Sequence, residues 1–405
     1  MTKPQSDAPT VPVAEARLLL LAGCALAAPP ARSTDGRVLS VIRALGYVQI
    51  DSITFVERAH HLILHSRLDG YEPTQLSMQA ERHRSVFEHW THDASLIRAD
   101  WLPWWSNRFK ASRARYLDDS WMRKRLGRNW SKRVKETMDL LRKSGPMSIR
   151  DVHDRMTSRR GSRGGWWEWT PHKAALEYLW RTGEVAVHSR RGFEKVYDVS
   201  GRIYGRVPGP RDAELHVEWA CSEALKRLGA GTPRELAGYL NAVSPTDARA
   251  WCERMASAGE IEKVLLERMG RPPRPGFARK DWRAAARKVR PDSTPRLLAP
   301  FDPLIRDRAR ALELFGFSYR FEAFVPSRQR KHGYYTMPVL VGDRLIGRLD
   351  LCSKRAARRL VVARAWLEPG NTIRWGSAAM REAANRLAWQ LKLETEWRAQ
   401  VAQST

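Results

Sequence analysis

The chain has 405 residues, of which 43% are hydrophobic and 28% are charged, a composition that argues against a disordered or a membrane protein. No stretch approaches the roughly 18 consecutive apolar residues that a membrane-spanning helix needs. Lys and Arg number 71 against 44 Asp and Glu, and the resulting net charge of +27 favours a nucleic-acid partner over an anionic membrane surface or mere solubility.

The N-terminal part of the chain predicts helix, helix and strand in that order. Residues 13–28 and 34–45 have helical patterns, and Gly46 ends the second helix. A β-type run follows over residues 47–51. This order is typical of the start of a winged helix, so we predict a first winged-helix domain over residues 13–125.

The middle of the chain predicts a second winged helix, over residues 126–207. Thr170 and Pro171 are typical of an N-cap followed by proline at the first helical position. The turn Arg190-Arg191-Gly192 between two β-type runs indicates a hairpin with a basic tip. The predicted elements are helices over residues 131–143, 149–156 and 170–180 and strands over residues 184–189 and 193–199.

A third winged helix is predicted over residues 208–270, and a basic linker, a β-rich region and a final helix follow over residues 271–405. The predicted fold class is therefore α+β, mainly α, with three tandem winged-helix units. The elements are helices over residues 213–228, 232–240, 245–258 and 376–399, a strand over residues 260–265, a linker over residues 271–290, and a hairpin of residues 334–341 with 344–351 inside a β-rich stretch over residues 296–362.

The cysteines form no C-x-x-C pair, so the sequence predicts neither a zinc site nor a disulfide framework and fits a reducing cytoplasm. The leucine run before Cys24 resembles a lipoprotein signal, but its apolar core of about six residues is shorter than the roughly 7 to 15 that a signal needs. We therefore predict a core-facing first helix. The four cysteines are Cys24, Cys221, Cys252 and Cys352.

The segment Gln49-Ile50-Asp51 is a candidate for catalysis. On an extended strand Gln49 and Asp51 point to the same face and present an amide and a carboxylate together. Such a pair suits hydrolysis of an N7- or N3-alkylated purine nucleotide, because the cationic base leaves without a general acid and the enzyme need only stabilise an oxocarbenium-like sugar and orient a water. The alternative is that Asp51 caps the next helix.

Several motifs resemble the YcaQ/AlkZ family of winged-helix DNA glycosylases, in the order in which that family has them, over roughly residues 14 to 395. The N-terminal motifs are Gly46-Tyr47-Val48-Gln49-Ile50-Asp51-Ser52-Ile53, Arg58-Ala59-His60-His61-Leu62, His65-Ser66-Arg67-Leu68 and Phe87-Glu88-His89-Trp90-Thr91-His92-Asp93-Ala94-Ser95-Leu96. The C-terminal motifs are Ala299-Pro300-Phe301-Asp302-Pro303-Leu304, Tyr319-Arg320-Phe321-Glu322, Gly333-Tyr334-Tyr335 and Gly347-Arg348-Leu349-Asp350.

The resemblance implies a basic concave surface built from three winged helices and a Gln-x-Asp catalytic motif formed by Gln49 and Asp51. It also implies action on N7-alkylated purines and on interstrand crosslinks, without a cofactor, by a monomeric bacterial protein of the cytoplasm and nucleoid that binds double-stranded DNA. Three positions depart from the family pattern, namely Arg98 in place of proline, Arg306 in place of an aromatic residue and Cys352 in place of lysine.

The remaining site residues are predicted from charge and position. Glu88-His89-Trp90-Thr91-His92 lacks the His-Glu-x-x-His order of a zinc helix, so we predict no metal site there. The predicted DNA-binding residues are Arg190, Arg191, Lys195, Arg328, Arg330 and Lys331. The predicted supporting residues of the catalytic site are His60, His61, His65, Arg67 and His92.

Two further interpretations concern the reaction. A glycosylase with lyase activity needs an amine nucleophile, and no lysine lies between Lys3 and Lys110, so we expect base release without strand cleavage. A winged-helix transcription regulator is the main alternative function, although a catalytic carboxylate facing DNA would serve it poorly.

The many tryptophans are expected in the core by default, but two clusters of them could insert into the base stack of DNA. These clusters are Trp101, Trp104 and Trp105, and Trp166, Trp167 and Trp169.

Overall fold

The computed structural model describes residues 8–118, 120–127, 129–156, 171–207 and 209–403. The fold is mixed α/β and about half helical. Its chain divides into two compact units, one formed by Met1–Gln75 with Ala220–Thr405 and the other by Leu76–Trp219. None of the helices in the described part of the chain is long and apolar enough to cross a membrane.

The N-terminal part of the first unit contains short elements around buried leucine, valine and isoleucine side chains. One helix begins at an N-cap, Thr34, which accepts a hydrogen bond from the Arg37 N–H at 3.2 Å, and buries Val38, Ile42 and Leu45. The elements are helices Val13–Gly23, Asp35–Leu45, Ala59–His65 and Pro73–Ser77, strand Tyr47–Gln49, and the parallel strands Ala31–Arg32 and Leu68–Asp69.

Residues 213–288 combine helices with a four-stranded sheet, which strand Thr10–Val11 completes at one edge. The predicted linker over residues 271–290 is wrong, because Arg271–Arg279 pairs with Ile261–Arg268 and a helix follows it. Three prolines in this strand hid it in the sequence, since proline lacks the N–H that a strand donates. The elements are helices Ala213–Leu228, Pro233–Leu240, Pro245–Ser257 and Trp282–Lys288, and strands Thr10–Val11, Ile261–Arg268, Arg271–Arg279 and Ala230–Gly231 in sheet order.

The C-terminal part of the first unit is a curled sheet packed against one long helix. The final helix ends at Gln390 rather than at residue 399, because Lys392 has a φ of 58° and the chain then adds Glu394–Trp397 to the sheet as a strand parallel to Arg359–Leu367. The strands are Arg296–Leu297, Thr336–Val341, Arg344–Lys354, Arg359–Leu367, Glu394–Trp397 and Val401–Gln403, and the helices are Pro303–Arg306, Arg308–Phe315 and Ile373–Gln390.

The second unit contains helices and two β-hairpins. Its core includes Leu141, Val152, Leu179 and Trp180. The predicted helix, helix, helix and hairpin order of the middle region is present, while the grouping into three winged helices stays a prediction. The helices are Leu102–Asp118, Ser120–Leu126, Trp130–Ser144, Ile149–Met156, Pro171–Arg181 and Ser200–Tyr204, and the strands are Val86–Trp90 with Ala94–Arg98, Met147–Ser148, and Val185–Arg191 with Glu194–Val199.

Candidate active site

Gln49 and Asp51 lie where a short strand ends. Helix Asp35–Leu45 ends at Gly46, whose φ of 83° turns the chain into strand Tyr47–Gln49. The sequence predicts a strand through Asp51, but the regular strand ends at Gln49, so Asp51 lies in an irregular segment. The shared-face argument from strand alternation therefore does not extend to Asp51.

Both polar side chains of this segment are withdrawn from bulk solvent. Gln49 is 6% exposed and Asp51 is half-buried. A carboxylate in such a position acts more strongly on a nearby positive charge than it would in water, because the surroundings screen it less. This is the electrostatic environment that an oxocarbenium-like transition state needs.

Asp51 is not the N-cap residue of the next helix. That helix begins at Ala59 and its N-cap residue is Arg58. Asp51 lies well upstream of this first turn.

The C-terminal sheet holds the segment that follows Asp51. Ser353 donates from its N–H to the Phe55 carbonyl at 2.8 Å and from Oγ to the Val56 carbonyl at 2.7 Å. The Phe55 ring packs on Tyr334 with centroids 4.5 Å apart. Residues distant in sequence thus fix the backbone next to the candidate catalytic carboxylate.

Tyr335 is a buried tyrosine whose environment includes Asp51. Burial raises the pKa of Tyr335 well above its usual value, and the negative charge of Asp51 raises it further. Its hydroxyl is buried and has no hydrogen-bond partner among the residues that the structure describes. The neutral hydroxyl therefore keeps a hydrogen-bond donor that no described residue accepts from.

The predicted supporting histidines lie on helix Ala59–His65, except His92. His61 Nδ1 is 2.8 Å from the Tyr71 hydroxyl, and burial lowers the pKa of His61 to about 4. Gln390 Nε2 donates to the His65 carbonyl at 2.9 Å, which leaves the Gln390 Oε1 to accept from His65 Nδ1 at 2.8 Å. Burial also lowers the pKa of His65 although this bond opposes it.

The other two predicted supporting residues, His60 and Arg67, are both buried. His60 is 6% exposed, with its ring 4.2 Å from that of His61. Arg67 forms a fully buried two-point ion pair with Asp302 at 2.7 and 3.0 Å and donates to the carbonyls of Cys24 and Ile63. Arg67 therefore joins three segments of the first unit, and its role is to stabilise the fold around the site.

The segment Glu88-His89-Trp90-Thr91-His92 lies in the second unit, where His89 makes hydrogen bonds within the protein. His92 lies half-buried in the turn between strands Val86–Trp90 and Ala94–Arg98. His89 accepts from Trp105 Nε1 at 2.9 Å and donates to the Trp180 carbonyl at 3.2 Å. The described residues include no group of three possible metal ligands.

Comparison with known proteins identifies the family. A model described as DNA glycosylase AlkZ-like matches residues 42–389, which is most of the chain. The chain belongs to the AlkZ-like DNA glycosylase family. The predicted resemblance is thus confirmed, and DNA is the substrate that the family implies.

A solved structure shows that this AlkZ-like protein shares its fold with another member. The chain is similar to the Streptomyces sahachiroi DNA glycosylase AlkZ, with a TM-score of 0.60 and 15% sequence identity, over 96% of this chain and 100% of that chain. At this identity the likeness shows a shared fold.

The basic hairpin of this AlkZ-like protein is only partly available to DNA. Arg190 donates from Nε and Nη2 to the two oxygens of Glu88 at 2.9 and 2.8 Å, and Lys195 Nζ lies 3.3 Å from the same carboxylate. Burial would raise the pKa of Glu88, but Lys195 and Arg190 outweigh it and lower that pKa. The Arg191 side chain is 69% exposed and lies 3.9 Å from Asp151.

The second predicted DNA-binding cluster lies in the loop before strand Thr336–Val341. Arg330 donates from Nε to the carbonyls of Glu322 and Val325 at 3.2 and 2.8 Å, whereas Arg328 and Lys331 are exposed. The role of all six basic residues in DNA binding stays a prediction. The structure shows that the six differ in how far their side chains reach solvent.

Sequence reasoning missed Tyr335 and Phe55. Neither residue received a role from its sequence motif, because nothing local places the C-terminal sheet beside Asp51. The three departures from the family pattern have ordinary surroundings. Arg98 pairs with Asp100, Arg306 donates to the Gly238 carbonyl at 3.2 Å, and Cys352 is half-buried in a strand.

Proposed function

We propose that this protein hydrolyses the N-glycosidic bond of N7- or N3-alkylated purines in double-stranded DNA, with Asp51 and Gln49 as its catalytic residues. The observation that carries the proposal is that the carboxylate of Asp51 is half-buried and lies two residues after the 6% exposed Gln49, at the end of strand Tyr47–Gln49. The family supplies the class of reaction.

The reaction needs little from the protein. The bond between the sugar C1′ and the purine N9 breaks, and its electron pair neutralises the positive charge of the alkylated base. Asp51 stabilises the positive charge that develops on the sugar and accepts a proton from the attacking water, whose oxygen bonds to C1′. Gln49 orients that water. The products are the free base and an abasic site.

The same chemistry extends to interstrand crosslinks through purine N7, where breaking one glycosidic bond unhooks the two strands. We also propose three winged-helix units, over residues 13–125, 126–207 and 208–270, and action as a monomer on chromosomal DNA in the bacterial cytoplasm. Arg191, Arg328 and Lys331 contact phosphates in this proposal.

We further propose that base release occurs without strand cleavage. The lysine argument from the sequence does not decide this, because strand Arg344–Lys354, which binds Phe55 and Val56, ends in the exposed Lys354. Borohydride trapping distinguishes the two mechanisms, since only an amine attached to C1′ yields a stable covalent complex with DNA. We expect no trapped complex, and a complex that disappears in Lys354→Ala would contradict a purely hydrolytic mechanism.

The test of the function uses a duplex with one N7-methylguanine under single-turnover conditions. We expect strand breaks only after hot alkali, at a rate well above that of the same duplex without protein, and none in an unmodified duplex. Binding that depends steeply on salt and little on sequence should accompany it. Sharp sequence specificity without base release would indicate a transcription regulator.

A further inference from the structure

Phe324 is the most exposed large hydrophobic side chain in the part of the chain that the structure describes, with 83% of its surface accessible. Single exposed hydrophobic residues are common and carry no meaning by themselves. Phe324 is distinguished by the loop that holds it, by the rings behind it and by the charges around it.

The loop around Phe324 is fixed by its own polar contacts. The Glu322 carboxylate accepts hydrogen bonds from the backbone N–H groups of residues 331–333, at 2.8 to 3.1 Å. The Val325 N–H donates to the Glu322 carbonyl at 3.0 Å and so closes a turn around Phe324, and Arg330 binds the carbonyls of both residues. The exposed ring is therefore presented with little ordering left to do on binding.

A row of aromatic rings leads from Phe324 towards the catalytic carboxylate. Phe324 lies edge-to-face on Phe321 with centroids 6.1 Å apart, and Phe321 lies edge-to-face on Tyr335 at 5.5 Å. Tyr335 follows Tyr334, whose ring packs at 4.5 Å on Phe55 in the segment after Asp51, and burial and the charge of Asp51 both raise the pKa of Tyr335. Phe324 is thus two ring contacts away from a side chain of the candidate active site.

Basic residues share the loop of the exposed ring. Arg320, Arg328 and Lys331 are exposed in the same loop segment as Phe324. A loop that exposes both an apolar ring and cations fits DNA, whose phosphates attract the cations and whose base stack accepts the ring. The first tryptophan cluster predicted from the sequence suits this role less well, because Trp101 and Trp105 are buried and Trp104 stacks on Trp219. The second cluster, Trp166, Trp167 and Trp169, lies outside the described residues.

We propose that Phe324 inserts into the base stack beside the damaged nucleotide and keeps the duplex open while Asp51 acts. A stacked and paired base hides its glycosidic bond, so unstacking must precede hydrolysis. The inference rests on the proposed catalytic role of Asp51. It makes Phe324 a positioning residue, needed for duplex DNA and dispensable where the damaged base is already unstacked.

The first experiment compares single-turnover excision of N7-methylguanine from a duplex and from the same strand alone. We expect Phe324→Ala to slow excision from the duplex by about tenfold or more, and from the single strand by less than about twofold. Phe324→Leu, which keeps an apolar wedge, should retain most of the duplex rate. Ile373→Ala is the matched control, because Ile373 is an exposed apolar residue, 58% accessible, on helix Ile373–Gln390 of the same unit rather than on the loop of Phe324. Equal losses on both substrates, or no loss on the duplex, would overturn the proposal.

The second experiment does not depend on excision. In the Asp51→Asn background, a 2-aminopurine next to the lesion should brighten on binding because it unstacks, and Phe324→Ala should remove most of that rise. An unchanged rise would overturn the role of Phe324. If the wild-type protein excised nothing but the rise still depended on Phe324, the proposed function would fail and the insertion would stand.

Discussion

Two basic clusters, one in each compact unit, look alike in sequence but differ in structure. In the hairpin formed by Val185–Arg191 and Glu194–Val199, two of three basic side chains, Arg190 and Lys195, neutralise the buried Glu88. In the loop over residues 328–331, two of three, Arg328 and Lys331, are exposed.

The difference shows that a run of basic residues does not define a DNA-binding surface. A buried carboxylate needs cations to remain charged, so some of the positive charge near it stabilises the protein. Cations whose side chains reach solvent are accessible to phosphates. The net charge therefore overstates the number of phosphates that the protein can bind, and exposed side chains give a better guide to that number.

The largest effect expected from this comparison is on stability. Arg190→Ala removes two hydrogen bonds to the buried Glu88 and should lower the free energy of unfolding by about 2 kcal/mol, with Lys195 limiting the loss. Arg191→Ala, one position away and 69% exposed, should change it by less than about 0.5 kcal/mol. Urea unfolding of both variants tests this. Similar midpoints would show that Glu88 does not depend on Arg190.

Two buried tyrosines differ in the same way, because the hydroxyl of one has a hydrogen-bond partner in the protein and the hydroxyl of the other has none among the described residues. Tyr319 donates to the Thr336 carbonyl at 2.6 Å, whereas the Tyr335 hydroxyl has no partner among the described residues. We propose that this donor acts on the reacting groups, so Tyr335→Phe should slow base excision by about tenfold without loss of stability. Tyr319→Phe should cost about 1 kcal/mol of stability and leave excision unchanged. The reverse pattern would exclude Tyr335 from the site.

A smaller effect is expected on the salt dependence of DNA binding. Removing one cation that binds a phosphate should reduce the slope of log K against log salt by about 0.9. Arg191→Ala and Arg328→Ala should each produce this change, because both side chains are exposed. Affinity titrations at a series of salt concentrations, on folded protein, measure it. A variant with the wild-type slope would show that its cluster does not bind DNA.

The smallest effect concerns pH. The pKa of His61 is lowered to about 4 in the folded protein by burial, whereas the unfolded chain binds this proton near pH 6.5. The contribution of His61 to the free energy of unfolding is therefore fully present above about pH 6.5 and is lost as the pH drops towards 4. Between about pH 7 and pH 6 this loss should be less than about 1 kcal/mol. Unfolding midpoints of wild type and His61→Gln measure it, and the variant should show the shallower decline. Equal declines would contradict a buried neutral His61.

Local signals predicted much of the fold. Helices Ile149–Met156 and Ala213–Leu228 have the predicted bounds, because their caps and apolar spacing lie within the segment itself. Strand Arg271–Arg279 was missed because its prolines disfavour a strand and its partner decides the outcome. The strand at Glu394–Trp397 was missed because it forms only beside Arg359–Leu367.

The candidate site could be predicted only in part. Gln49 and Asp51 were found from a short motif and a family resemblance, since their chemistry is carried by neighbouring residues. Tyr335 lies far from Asp51 in sequence, and Arg190 lies far from Glu88. Such pairs arise from packing between distant segments, which no local pattern records.

The catalytic role of Asp51 is tested most directly by comparing its asparagine variant with the wild type. Single-turnover excision of N7-methylguanine by Asp51→Asn should be slower than wild type by roughly 10² to 10⁴, because the amide keeps the shape but neither stabilises the sugar cation nor accepts a proton. Gln49→Ala should cost less, and DNA affinity of the Asp51 variant should be equal or higher. Full excision by a folded Asp51→Asn protein, with an unchanged circular dichroism spectrum, would contradict the catalytic role of Asp51.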